Sequence, residues 1–234
     1  MNAVFALRPT RPVIDVASSF AALVEDTYVG RVGPRFAMLL SGGPTAAACY
    51  DRLALASNVD WGDLDIYMGD ERLVPPSDPD ANQLLVRQHL VEPVGGVGSF
   101  NPMGTQGDPD CCAQAYEGVL SSLLSLGGGI DLVHLGMGSD GHTASLFPGS
   151  PSLEVLDRLV LASVDPNEQN PHHRLSVTYP LIAAARHVVF TVSGRAKSAA
   201  VARVLAGEDL PASRVSAEKV TWIVDEEALV GPGR

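Results

Sequence analysis

The sequence is poor in cysteine, which argues against a disulfide-stabilised protein and against a protein built around a zinc site. Its cysteines are Cys49, Cys111 and Cys112, which form neither a CxxC motif nor a cluster with histidine at metal-ligand spacing. An odd number of scattered cysteines fits reduced thiols better than a disulfide framework or a zinc site. We therefore expect reduced structural thiols and no bound metal.

Basic residues are also scarce. The chain has 16 Lys and Arg against 27 Asp and Glu, which gives a formal net charge of −11. Nucleic acids and anionic membranes bind basic faces, so neither is expected as a partner. A small anionic ligand is still compatible with this charge, because it needs only a few cations gathered in one place.

Long uncharged stretches are missing too. The two longest run from Phe36 to Tyr50 and from Pro93 to Gly107, and glycine and proline interrupt both. Neither stretch can span a bilayer. Charged residues and prolines occupy the N-terminal segment where a secretory signal needs an apolar core. A cytoplasmic protein is therefore expected.

Apolar runs alternate with helical patterns along most of the chain, which is typical of successive βα units. With 234 residues and 46% hydrophobic side chains, the chain fits one α/β domain over residues 1–234 with a mainly parallel sheet. The predicted strands are Phe36–Leu40, Leu64–Met68, Ile130–Leu135, Leu159–Val164, Leu175–Thr178, His187–Val192 and Val220–Val224. The predicted helices are Ala46–Ala54, Gln83–Leu90, Gln114–Leu126 and Lys197–Ala206.

The most informative segment is Ile130–Gly149, in which a buried strand runs into a glycine-rich turn that carries Asp140 and His142. The glycines between residues 136 and 141 would allow tight turns with positive φ. His142 is placed where a short helix would start, and imidazole titrates near neutrality, as a general base requires. The alternative is a histidine that only caps the turn, and this motif alone does not decide between the two.

Ligands of open α/β sheets bind outside the carboxyl ends of the strands. After the first predicted strand, the glycines of Ser41–Thr45 precede a helix whose N–H groups can hold a phosphate. The second strand leads into Gly69–Arg72, where the arginine suits an oxyanion and the two acids could orient it or meet hydroxyls. A capped strand-to-helix turn and a solvated loop are the alternative interpretations.

Two further cations lie beside predicted strands. Arg174 directly precedes the predicted strand Leu175–Thr178. The two residues before it, His172 and His173, would point to opposite faces of an extended segment, so they fit surface positions better than a shared metal site. Lys197 lies near a helix N-terminus, where a cation is unfavourable unless an anion joins it. The candidate ligand-binding residues are Gly42, Gly43, Thr45, Asp70, Arg72, Arg174 and Lys197.

Residues 136–141 also match the GxGxxG pattern of dinucleotide sites, and Asp165 lies near the expected place for a ribose contact. However, Pro148, Gly149 and Pro151 interrupt the crossover helix that such a site needs. The chain also lacks the GK[ST] sequence of a nucleotide P-loop. We therefore expect no nucleotide cofactor.

Several segments together resemble the 6-phosphogluconolactonases: GDERLVP at 69–75, DGHTASLFPG at 140–149, Arg174 followed by SVT at 176–178, and SGRAK at 193–197. The resemblance covers most of the chain and implies a Rossmann-like three-layer α/β/α fold. It implies hydrolysis of 6-phospho-D-glucono-1,5-lactone without cofactor or metal. It also implies that His142 is the catalytic histidine and that the SGG loop, Arg72, Arg174 and Lys197 contact the sugar phosphate.

This chain departs from the family pattern at three positions. Ala46 stands where the family commonly has proline, Ala81 where it often has serine, and Ser176 where it has threonine. None of these differences affects the proposed base.

The resemblance suggests a mechanism and leaves other functions open. His142 would deprotonate the attacking water, with Asp140 as its orienter, and either Arg72 or backbone N–H groups of the glycine turn would stabilise the oxyanion. A glucosamine-6-phosphate deaminase or isomerase would share the phosphate site, but the deaminases typically carry a carboxylate where this chain has Phe147. A non-catalytic sugar-phosphate sensor would need only the anion site. The expected partner is a phosphorylated sugar lactone, and a monomer or weak homodimer is expected.

Overall fold

The computed structural model describes residues 5–10, 13–125, 128–168 and 171–230. The strands in these ranges are β1 Phe5–Thr10, β2 Phe36–Leu40, β3 Leu64–Met68, β4 Asp70–Arg72, β5 Ser99–Asn101, β6 Ile130–Leu135, β7 Val160–Ser163, β8 Arg174–Val177, β9 Ala185–Val192 and β10 Lys219–Asp225. The α-helices are α1 Val13–Val29, α2 Pro44–Leu53, α3 Asn82–Val86, α4 Pro109–Ser125, α5 Tyr179–Ala183, α6 Ser198–Leu205 and α7 Glu226–Leu229. A π-helical turn, Arg87–Val91, continues α3.

A seven-stranded parallel sheet forms the centre of the molecule, in the order β1-β10-β9-β6-β2-β3-β5. A second, antiparallel sheet has the order β4-β8-β7. The predicted Rossmann-like α/β/α class with a mainly parallel sheet is confirmed.

The central strands are buried along their whole length because both faces of the sheet are covered. Every residue of β2 and of β6 is buried, as expected for parallel strands between helical layers. Helix α1 packs against α2 and against β10 and thus covers part of the sheet. This core fixes the strand ends from which the polar residues project.

All seven predicted strands occur in the structure. The bounds of β2, β3 and β6 agree with the prediction to the residue, and the other four predicted strands differ by one or two residues at their ends. Helix α4 begins earlier than predicted, and the last residue of the predicted helix, Leu126, lies outside the described residues. The strands β1, β4 and β5 and the helices α1, α5 and α7 are absent from the prediction.

The helix predicted to start at His142 is wrong. In the described structure, residues 141–150 form consecutive turns with an isolated bridge between Thr143 and Leu146. The Thr143 hydroxyl donates to the Gly136 carbonyl at 2.9 Å, and Ala144 has a φ of 47°. Both features stop the backbone from winding into a helix.

The short strand β4 connects the two sheets at one edge of the molecule. Gly69 N–H, just before β4, donates to the Leu40 carbonyl at 2.8 Å, which ties β4 to the end of β2. In the antiparallel pairing of β4 with β8, Arg72 lies opposite Arg174. The fold therefore brings two arginines from distant parts of the chain to the carboxyl edge of the central sheet.

Candidate active site

A cleft of about 240 Å³ lies at the carboxyl ends of β2, β6 and β9, beside the small sheet. It is smaller than the roughly 300–1,000 Å³ typical of pockets for drug-sized ligands, so it suits a small ligand. Of the predicted site residues, all except Asp140 line this cleft: Gly42, Gly43, Thr45, Asp70, Arg72, His142, Arg174 and Lys197.

Asp140 contacts the predicted base directly. Its Oδ1 lies 2.7 Å from Nδ1 of His142 and accepts the backbone N–H of His142 at 3.1 Å. Because a carboxylate only accepts hydrogen bonds, the neutral imidazole carries its proton on Nδ1, which leaves Nε2 basic. Burial alone would raise the pKa of Asp140, but these bonds and the nearby imidazole outweigh it and hold that pKa below its usual value.

The backbone of the turn leaves just enough room for this pair. A Cβ at position 138 would lie 2.2 Å from His142 Nδ1 and 2.4 Å from Asp140 Oδ1. Glycine is thus needed at position 138 because the His142 ring and the Asp140 carboxylate lie so close to its backbone. The positive φ expected for the glycines at 136, 138 and 141 occurs only at Gly141, where φ is 92°. On another side, the Phe147 ring packs against His142 with 4.9 Å between the centroids.

The loop after β2 presents a helix N-terminus to the cleft. Helix α2 begins at Pro44, and its N-cap residue Gly43 has a φ of 100°. No side chain in the described part of the chain caps this end, so the interpretation of Thr45 or Ser41 as a cap is wrong. Ser41 Oγ instead donates to the His134 carbonyl at 2.8 Å. The positive end of the helix dipole is available to an anion.

The two acids of β4 have different roles. Glu71 is fully buried and accepts the backbone N–H groups of Arg72, Asn82 and Gln83 at 2.8, 2.7 and 2.7 Å. Burial raises the pKa of Glu71 to about 7, against the opposing effect of these N–H groups. Glu71 thus anchors the start of α3, whereas Asp70 lines the cleft. The Arg72 guanidinium donates to the Asp80 carbonyl and not to either of these acids, so the expectation that they orient it is wrong.

Asp70 is held from two sides. Its carboxylate accepts the Ser145 hydroxyl at 2.7 Å and the Asn82 amide at 3.2 Å. Ser145 follows the His142 turn, so this contact ties the two sides of the cleft together. The side-chain oxygen of Asn82 lies against Gly42, where a Cβ would be 1.9 Å away.

The cations converge from three elements. Arg72 and Arg174 project from paired strands, and Lys197 lies just before α6. Burial lowers the pKa of Arg174, an effect opposed by Asp70 and strengthened by the charge of Arg72. Burial also lowers the pKa of Lys197, here opposed by Asp140. A bound anion would favour the charged form of each of these groups.

Four residues with polar side chains line the cleft without belonging to the predicted set: Ser41, Asn82, Thr191 and Ser193. Thr191 lies inside the predicted strand His187–Val192 and therefore looks like a core residue in the sequence. Ser193 belongs to the SGRAK segment, so the sequence does contain a signal for it. Among the described residues, no group of three or more His, Cys, Asp or Glu side chains could hold a metal ion.

An open helix N-terminus, converging cations and a carboxylate–imidazole pair at the carboxyl edge of a parallel sheet are the features of an α/β enzyme whose cleft suits an anionic ligand. A family model described as glucosamine-6-phosphate isomerases/6-phosphogluconolactonase matches residues 11–223. The chain belongs to this family.

Individual relatives point to the lactonase branch. A 6-phosphogluconolactonase from Synechocystis sp. is 38% identical over 200 residues, which cover 81% of each protein. A 6-phosphogluconolactonase structure from Trypanosoma cruzi matches with a TM-score of 0.82 at 25% identity, covering 98% of this chain and 97% of that one. A monomeric glucosamine-6-phosphate deaminase matches with a TM-score of 0.79 at 20% identity, covering 96% and 99%. The last match shows the shared fold alone, so the fold does not separate the two chemistries.

None of the helices in the described part of the chain is long and apolar enough to cross a membrane.

Proposed function

We propose that this protein hydrolyses 6-phospho-D-glucono-1,5-lactone to 6-phospho-D-gluconate, with His142 activating the water. The observation that carries the proposal is the Asp140–His142 pair, 2.7 Å between Oδ1 and Nδ1, facing a cleft that also contains three cations. The named 6-phosphogluconolactonase relatives support the same reaction.

The phosphate group would bind on the cationic side of the cleft. The start of α2, with Gly42, Gly43 and Thr45, offers backbone donors and the positive end of a dipole. Arg174 and Lys197 would add charge-assisted hydrogen bonds. Since the phosphate is remote from the reacting carbonyl, its binding would position the lactone ring and lower the entropy cost of the reaction.

The chemical step needs a base, a water and a donor for the oxyanion. His142 Nε2 would take a proton from water as its oxygen attacks C1 of the lactone, and Asp140 would stabilise the imidazolium through Nδ1. When the tetrahedral intermediate collapses, the C1–O5 bond breaks and the imidazolium returns its proton to the departing ring oxygen. Such general base catalysis contributes typically about 10²–10⁴-fold.

Two groups are candidates for the oxyanion donor, as in the sequence analysis. Arg72 lines the cleft, and the backbone N–H groups of the glycine turn are close to His142. Asp70, which also lines the cleft, would accept hydrogen bonds from substrate hydroxyls. Ser145 and Asn82 keep its carboxylate in place.

A deaminase or isomerase is the second candidate, and Phe147 argues against it. Phe147 is 1% exposed and packs against the His142 ring. It therefore offers an apolar wall where a deaminase would need an acid/base group for its additional proton transfers. A non-catalytic sensor would not need the Asp140–His142 pair.

The deciding experiment is turnover of freshly prepared 6-phosphogluconolactone, corrected for spontaneous hydrolysis, with ammonia release from glucosamine 6-phosphate measured in parallel. We expect lactone hydrolysis and no ammonia. Ammonia release comparable to lactone turnover would overturn the assignment. The cytoplasmic location and the monomeric or weakly dimeric state stay predictions, the latter checked by light scattering.

A further inference from the structure

We propose that Tyr50 and His134, two buried side chains beneath the cleft, are positioning residues that hold the Ser41–Thr45 loop in its phosphate-binding geometry. The inference rests on the proposed function, because it takes the ligand of this loop to be the phosphate of the substrate. It assigns a role to a buried histidine that the mechanism above does not use.

The Tyr50 hydroxyl reaches back from α2 to the residue that precedes the two glycines. Its oxygen lies 2.7 Å from the Ser41 carbonyl oxygen and 3.1 Å from the Ser41 nitrogen. The same oxygen lies 3.0 Å from Nδ1 of His134, a residue of β6. Nε2 of His134 is 2.8 Å from Oγ1 of Thr191, at the end of β9. This chain of contacts therefore links Thr191, which lines the cleft, through His134 and Tyr50 to Ser41 at the start of the Ser41–Thr45 loop.

One arrangement of protons satisfies every group in this chain. The Ser41 carbonyl can only accept, so it takes the Tyr50 hydroxyl proton, and the Tyr50 oxygen then accepts the N–H groups of Ser41 and of His134 Nδ1. His134 Nε2 is left to accept the Thr191 hydroxyl proton. The imidazole must be neutral for this to hold. Burial lowers the pKa of His134 to about 3, so it stays neutral across the physiological range.

The loop needs support of this kind because its own residues provide little. Glycine has more backbone freedom than any other residue, and Gly42 and Gly43 both lie in the segment that would contact the phosphate. The bonds from Tyr50 fix both backbone groups of Ser41, immediately before that segment. The His134 ring is itself held by Phe20, with 4.2 Å between the ring centroids. Since the network is neutral, it fixes the loop without placing a negative charge beneath the anion site.

Two variants test the proposal, each with a matched control. Tyr50→Phe removes the central hydroxyl, and His134→Gln removes the ring that links it to Thr191. Tyr28→Phe makes the same chemical change at another buried tyrosine. The Tyr28 hydroxyl donates to Asp63 and accepts the N–H of Asp60, just before the amino end of β3 and therefore at the end of the sheet opposite to the cleft. His187→Gln replaces a buried strand histidine whose Nε2 lies 2.9 Å from the Thr221 hydroxyl, away from the cleft.

The first readout is binding, measured by calorimetry with inorganic phosphate and with 6-phosphogluconate below the unfolding midpoint of each variant. Loss of a buried hydrogen-bond partner is expected to weaken both ligands about tenfold for Tyr50→Phe and for His134→Gln. Tyr28→Phe and His187→Gln should bind as the wild type does, even where they lower the unfolding midpoint by a similar amount. Equal losses in variants and controls would mean a merely structural role and would overturn the proposal.

The second readout is the split between KM and kcat. For the phosphorylated lactone, KM should rise in parallel with the phosphate dissociation constant, whereas kcat/KM for unphosphorylated gluconolactone should stay at the wild-type value. The double variant should lose no more affinity than the weaker-binding single variant, because both act through one chain of bonds. Full additivity would contradict a single network.

Failure of this proposal is separable from failure of the proposed function. A wild-type protein that binds phosphate but does not hydrolyse the lactone would refute the activity, while the phosphate affinities of the variants would still test the network. Wild-type lactone turnover together with unchanged phosphate affinity in both Tyr50→Phe and His134→Gln would refute the network alone. If Tyr50→Phe does not fold, His134→Gln carries the same expectation.

Discussion

The turns that follow β2 and β6 lie side by side, since these strands are neighbours in the sheet, yet they use their hydrogen bonds in opposite ways. The turn after β2 leaves the start of α2 uncapped by any described side chain, so its backbone donors are available to a ligand. The turn after β6 is held by bonds between its own residues: Asp140 accepts both N–H groups of His142, and Thr143 donates to Gly136.

In the proposed function, the turn after β2 binds the ligand and the turn after β6 breaks the bond. An uncapped helix end gains stability only when an anion arrives, whereas a turn closed by its own side chains holds one imidazole in a fixed orientation before any ligand binds. Substitutions on the two sides should therefore affect different kinetic parameters. The predictions below test that separation, from the largest expected effect to the smallest.

The largest effect is expected for His142→Ala. Removing the base should lower kcat about 10²–10⁴-fold and change KM little, because the imidazole acts mainly in the transition state. The measurement is the rate of lactone hydrolysis corrected for the background reaction. His89→Ala is the matched control, because His89 Nδ1 also lies 2.8 Å from a carboxylate, that of Asp51, but at the surface. A near-wild-type kcat for His142→Ala would show that His142 is not the general base.

The next effect is expected on the cationic side. Arg174→Ala and Lys197→Ala should each raise KM for the phosphorylated lactone about 10- to 100-fold, the range for a lost hydrogen bond to a charged group. Turnover of unphosphorylated gluconolactone should change much less, although some loss of kcat follows from poorer alignment of the lactone. Arg203→Ala, on α6 and paired with Glu208 at the surface, is the control. Equal relative losses on both substrates would contradict the phosphate assignment.

A smaller effect is expected for Gly138→Ala. The added methyl group would overlap with the His142 ring and the Asp140 carboxylate, and such overpacking typically costs about 1–3 kcal/mol of stability. Because the ring must shift, kcat should fall while phosphate affinity stays unchanged. At Gly104, an exposed loop residue that does not line the cleft, a Cβ would meet no atom of the described structure within 4 Å, so Gly104→Ala is the control. Similar kcat values for the two variants would show that the close approach at Gly138 does not matter.

The smallest effect is expected in the pH dependence of stability for Asp140→Asn. The pKa of Asp140 is lowered in the folded protein, so its ionised form stabilises the fold above its ordinary pKa, and this stabilisation is lost as the pH falls through the folded value. The wild type should therefore exceed the variant in stability at pH 7 and lose that advantage below about pH 4. Partial exposure of the side chain keeps the difference small. Urea unfolding at several pH values measures it, and a difference independent of pH would be the contrary result.

The strands could be predicted from the sequence where both faces of the sheet are covered by other elements. β2, β3 and β6 are mostly apolar, with Asp65 in β3 and Asp131 and His134 in β6 as exceptions, and glycine follows each strand closely, so their bounds are visible in the sequence. Helix α1 is missing from the prediction even though its buried residues Val16, Phe20 and Val24 follow helical spacing. β4 could not be predicted in this way. Its residues Asp70 and Glu71 are charged, and they are buried only because N–H groups from α3 and the Ser145 hydroxyl come to meet them.

The site residues could be predicted for a different reason. His142 and Lys197 follow strands of the parallel sheet, whose carboxyl ends lie together, and the pairing of β4 with β8 adds Arg72 and Arg174. Thr191 and His134 could not be recognised, because each lies inside an apolar strand and its polar contact is with a distant residue. Cleft residues at strand ends thus leave a local signal in the sequence, whereas polar residues inside a strand do not, whether they line the cleft as Thr191 does or lie beneath it as His134 does.

The pairing of β4 with β8 has a consequence for how the protein folds. Arg72 and Arg174 become neighbours only after the whole intervening chain has been synthesised and a large loop has closed, and contacts of such high sequence separation form slowly. During synthesis, a nascent chain that ends before residue 174 would already contain β2, the α2 N-terminus and the His142 turn. Such a chain would have the base before it had the complete cation cluster. Affinity for phosphate should therefore appear late in folding, and its appearance would report the completion of the tertiary structure.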